Sequence, residues 1–181
     1  MKRFNALRMI LLLSGALYGG AASAATQGSL GASSTGSVTI TLSVAGRVQI
    51  SGLSDVALVA VSPQAAAISA QNVCVWSNTA TKGYSVTASG SGEGNSFELS
   101  SGSGTAAYAV AWSDAAGQAT GTPLNSGSVL SGLTSSATSP DCSSGGAASA
   151  RLVVTVDPAT LQATTPDTAY AGALNLEVSP E

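Results

Sequence analysis

From Ser37 to Ala45 the side chains alternate without a break, with Val38, Ile40, Leu42 and Val44 on one side and Thr39, Thr41 and Ser43 on the other. A period of two is the period of a β-strand, and a helix would scatter those four apolar residues around its axis. β-branched residues fill most of the positions, which suits a pleated surface better than a helical one. After Ala45-Gly46-Arg47 the same phase resumes at Val48 and Ile50 and stops at Gly52. Further strands are expected at Val56 to Val61, Asn72 to Ser77, Tyr84 to Ala88, Ser96 to Ser100, Tyr108 to Trp112, Ala150 to Val156 and Ala173 to Val178. Gly, Ser, Asn and Pro punctuate them. No segment carries a convincing helical period. Many short strands closed by frequent turn signals predict an all-β chain, an antiparallel sandwich or barrel.

Between Ser113 and Ser149 the pattern thins, leaving Val129, Leu130 and Leu133 as one poor strand inside a long connection that Cys142 would tie down. Trp76 and Trp112 could offer rings for stacking on sugars. Each is in phase with apolar neighbours, and Trp76 lies two residues from Cys74, so both are expected to pack in the core, Trp76 beside the bridge.

The chain opens on Lys2, Arg3 and Arg8, the apolar run Met9 to Leu13, and small residues ending in Ala22-Ser23-Ala24. That is the layout of a secretory signal peptide, residues 1–24, with cleavage expected after Ala24. The apolar run is too short to span a bilayer and no later segment is long and apolar enough to be a membrane helix, so membrane insertion is not expected. Thr26 to Gly36 is small, polar and glycine-rich and reads as a flexible lead, residues 25–36. Cys74 and Cys142 are the only cysteines, and in an oxidising compartment they are expected to form one disulfide.

Downstream of residue 24 three cations, Arg47, Lys82 and Arg151, face nine carboxylates, a net charge of −6, so nucleic acid and anionic membranes are poor partners. With only 8% charged residues overall, the surface is built mainly of Ser, Thr, Gly and Asn and supplies little repulsion against self-association. The chain has no histidine, which removes the commonest general base and metal ligand. Its carboxylates are scattered singly and Lys82 sits in a turn before Gly83. No catalytic activity, metal or cofactor is expected.

The Val38–Val44 segment remains to be placed. It could be the first strand of its own sandwich. Alternatively it could leave its domain and complete the sheet of a neighbour, main-chain hydrogen bonds supplying affinity and alternate side chains filling pockets. The stretches TGSVTITLSVAGRVQISG, NVCVWSN, GYSVTASGSG, YAVAW and AYAGALNLEVSPE together resemble pilins of the chaperone-usher pathway, of the colonisation-factor (alpha) and archaic types. The resemblance implies an immunoglobulin-like sandwich, residues 47–181, that lacks one strand. It also implies a donor strand, residues 37–46, with Val38, Ile40, Leu42 and Val44 as the inserted side chains. Ala173 to Val178 would border the acceptor groove. The implied partners are copies of this chain or related pilins, a periplasmic chaperone and an outer-membrane usher. The implied place is a fimbria on the cell surface, meeting a host or abiotic surface. Without the resemblance, a self-contained secreted binding module is the competing reading. The lead is longer than such pilins usually carry, and the two cysteines lie far apart.

Overall fold

A computed structural model of the chain describes residues 24–60, 62–102, 104–143 and 147–181; the expected signal peptide, but for Ala24, lies outside the described residues. The chain divides into two compact units, Met1–Val44 and Ala45–Glu181.

The larger unit is an antiparallel β-sandwich. Its strands are β1 (Val48–Ser51), β2 (Ala67–Ser77), β3 (Gly83–Gly90), β4 (Glu98–Ser100), β5 (Thr105–Ala107), β6 (Ala109–Ser113), β7 (Thr122–Leu124), β8 (Val129–Thr134), β9 (Ala150–Val156) and β10 (Leu174–Pro180). One sheet runs β1-β2-β9-β6-β7 and the other β10-β3-β8, with β4 and β5 as a separate hairpin. Between the sheets lie Val73 and Val75 of β2, Tyr84, Val86 and Ala88 of β3, Val110 and Trp112 of β6, and Leu152, Val154 and Val156 of β9. Each set is spaced by two, so the alternation read from the sequence is the alternation that fills the core. Trp112 and Tyr84 are fully buried and join the two layers, the indole Nε1–H donating to the phenol oxygen at 3.2 Å.

Beyond the span paired with β9, the Val75 peptide meets side chains. Ser149 Oγ accepts from Val75 N and donates to Val75 O, both at 2.8 Å, and Ser135 Oγ also donates to that carbonyl. Ser149 and Ser135 are buried, and these bonds satisfy their hydroxyls and the strand backbone together. Cys74 is bonded to Cys142.

Several expectations need correction. Of the strand expected at Val56 to Val61, Val56 to Ala60 forms none, since residues 53–60 join no sheet; Val61 lies outside the described residues. Gly52 has a φ of 75°, a left-handed conformation that suits glycine, and there the chain turns out of β1. Trp76 is half-buried and outside the core cluster. With Val73 and Val75 setting the inward phase of β2, Trp76 shares the outer face with Cys74. The Ser113 to Ser149 stretch holds two strands, β7 and β8, where one was expected. A short helix α1 (Pro158–Ala163) was missed although its start is marked: Asp157 caps Thr160 N at 2.7 Å and Pro158 opens the first turn.

Burial pushes the Tyr84 phenol up to about 12, with the Trp112 hydrogen bond opposing and the Asp114 charge adding. Below its ordinary value of 10.0 the group is neutral whether the chain is folded or not. Above it only the unfolded chain ionises, so folding stability is expected to fall as pH rises from about 10 to about 12. Tyr108, also raised by burial, acts in the same direction. Urea midpoints across that window should decline less steeply for Tyr84→Phe; an unchanged slope would exclude Tyr84 as the cause.

Candidate functional site

The two edges of β2 are used unequally. On one edge β9 pairs with Ala67 to Val73, whereas on the other β1 pairs only with Cys74 to Ser77. Past Gly52 the chain does not continue the β1 ladder along the first half of β2. Hydrogen bonds pin it at Ser54, whose N and Oγ donate to Gln71 Oε1 at 2.9 and 3.0 Å while Gln71 Nε2 donates to Ser54 O at 3.1 Å, and Leu58 packs against the core. One amide side chain thus does what a backbone ladder does elsewhere in the sheet.

The opening that results is a groove of about 950 Å³. Its floor is core: Ala67, Tyr108, Leu152, Val154 and Val156. One wall carries Leu53, Val56 and Leu58; the other carries Leu174 and Leu176 of β10, with Leu161 and residues 164–173 also lining the site. β10 is an edge strand, paired with β3 alone through seven register positions from Leu174–Gly90 to Pro180–Tyr84. Leu174, Leu176 and Val178 point toward the core yet stay only half-buried, while Val86 and Ala88, opposite them on β3, are fully buried. The core is therefore covered on its β3 side and open along β10.

An unpaired strand edge beside an apolar trough binds an extended chain well. The edge offers backbone donors and acceptors in sequence, and the trough accepts every second side chain. Left empty, such an edge is a site for uncontrolled pairing. Among the described residues no group of three or more His, Cys, Asp or Glu could hold a metal ion. No helix there is long and apolar enough to cross a membrane.

The sequence-predicted donor residues lie in the smaller unit. Val38 is 72% exposed, Ile40 89%, Leu42 87% and Val44 79%, and the segment joins no sheet. The most regular β pattern in the chain is thus unpaired. The lead before it is not an open tether: Thr26 and Ser37 exchange two backbone hydrogen bonds, both 2.9 Å, which closes residues 27–36 into a loop. Leu174 and Leu176 of β10 line the opening, in the stretch that the resemblance set beside an acceptor groove, while the opposite wall went unread because Val56 to Val61 was expected to be a strand. Gly52 immediately after β1 was the available signal.

No family model matches this chain, and no curated protein matches it. A solved structure described as "Chaperone-tip adhesin complex is vital for synergistic activation of CFA/I fimbriae biogenesis" aligns with 75% of this chain and 41% of its own, at 14% identity and a TM-score of 0.45. This chain spans less than half of that one, and similarity at this level assigns neither a family nor an activity.

Proposed function

We propose that this chain is a non-enzymatic structural subunit of a bacterial surface pilus that polymerises by strand exchange. Residues 38–44 of one copy enter the groove of the next, along the free edge of β10. The observation that carries this reading is the coexistence of an open apolar groove beside an unpaired edge and an alternating apolar segment that has no partner strand. Inserting Val38, Ile40, Leu42 and Val44 at about 1.5 to 3 kcal/mol each gives roughly 6 to 12 kcal/mol before ordering costs. A joint of that size can hold a fibre. On this reading the subunit is exported through the periplasm to the surface. A chaperone covers the groove in transit, because an exposed apolar edge aggregates, and an outer-membrane usher performs the exchange.

The test uses a chain whose own segment is disabled by Leu42→Asp and a peptide copying Ser37 to Ala45. A ligand that binds only the folded state raises its stability by about 2.7 kcal/mol at a hundred times its Kd. The melting temperature should climb with peptide concentration, and a peptide carrying Asp in place of Ile40 should have no effect. A melt indifferent to both peptides would favour a self-contained binding module and remove the reading.

A further inference from the structure

The donor segment has a weakness that its own side chains cannot cure. Val38, Ile40, Leu42 and Val44 are four similar apolar groups in strict alternation. A slip by one residue would turn them all away from the groove, but a slip by two would leave the apolar face in place and shift each residue into the next position. Side-chain pattern alone specifies such a register weakly. Something outside the strand must set it.

We propose that the closed loop formed by residues 26–37 is a stop that fixes how far the donor segment enters a neighbouring subunit; the proposal rests on the strand-exchange reading above. Three observations converge on it. The first is width. β10 is paired on one side by β3, so its free edge offers a single strand position. One added strand, spaced about 4.8 Å from β10, fills that position. The Thr26–Ser37 closure is two strands wide and does not fit it. The second is length. At its far end the segment meets Ala45, already part of the sandwich: Asn78 Nδ2 donates to Ala45 O at 3.0 Å and Arg47 N donates to Asn78 Oδ1 at 2.6 Å. Between that clamp and the closure lie residues 38–44, seven positions that match the seven residues of β10. The third is that the loop is built to close. A Cβ on Gly28 would stand 2.0 Å from Ser34 Oγ, and one on Gly36 would stand 2.9 Å from Thr26 O. At Gly36 the obstacle is backbone, so that approach favours glycine; at Gly28 it is the Ser34 hydroxyl, which a larger residue would have to displace.

Assembled fibres of the full mature chain carrying a photo-crosslinking residue at Thr41 provide the test. Cross-linked peptides identify the β10 residues facing that position in the next subunit. Fibres with the natural loop should give one contact site. Deleting residues 27–36 should add a second, displaced by two residues along β10, while Leu30→Ser, which alters the exposed loop side chain but not its width, should keep the single site. One site in the deletion chain, or two in the Leu30→Ser chain, would overturn the stop. Absence of any cross-link to β10 with the natural loop would instead overturn strand exchange itself, and the stop with it.

Discussion

Leu42→Asp is expected to abolish surface fibres while leaving folded subunit in the periplasm. On the proposed reading the substitution must either bury an unpaired carboxylate in an apolar groove, at a cost of several kcal/mol, or leave the strand outside. It also removes about 2 kcal/mol of apolar burial. The subunit itself should lose little, because Leu42 is 87% exposed and changes at such sites usually stay within about 0.5 kcal/mol. Thr41→Asp, one residue away on the opposite side of the strand, should be far milder, since that side need not enter the groove. Electron microscopy of the cell surface beside a blot of the periplasm separates the outcomes. Normal fibres from Leu42→Asp would show that the segment is not what joins subunits. Loss of the subunit from both places would show that it belongs to its own core.

The second large effect lies in the bridge. Cys74 and Cys142 stand 68 residues apart, and in the chain-entropy account closing a loop of that length stabilises the folded state by about 4 kcal/mol. Domains of this kind have a net stability of only about 5 to 15 kcal/mol. The bridge also acts where apolar packing is thin. Among the described residues near Cys142 little apolar surface is buried beyond Ala137, and the Ser135 and Ser149 hydroxyls contact β2 at Val75. A chain carrying Cys74→Ser and Cys142→Ser should therefore unfold at a much lower denaturant concentration, by the equivalent of about 4 kcal/mol. The natural chain should approach it when reductant is added. The mass of the unreduced chain reports the bridge directly through its missing pair of hydrogens. Free thiols, or a stability change below about 1 kcal/mol, would remove this account.

Much of this protein follows from its residues alone. Period two appears wherever apolar and small polar residues alternate between turn signals, and β9, expected at Ala150 to Val156, spans those same residues. That pattern is local, because a strand's two faces are decided by neighbouring side chains. The cysteine pairing needed no geometry either, since only two cysteines exist. What escaped the sequence were matters of which edge is occupied. Val56 to Ala60 has β-forming composition like that of β9, yet it joins no sheet: Gly52 turns the chain away, and the side chain of Gln71 and the packing of Leu58 hold it in place of a backbone ladder. Trp76 could face either layer until Val73 and Val75 set the phase of β2. The groove is the clearest case: its floor comes from β2, β6's neighbour Tyr108 and β9, its walls from residues 53–58 and β10. Whether those pieces close over one another depends on contacts between residues far apart in the chain. No local propensity encodes which edge stays unpaired; only the tertiary structure shows the core open along β10.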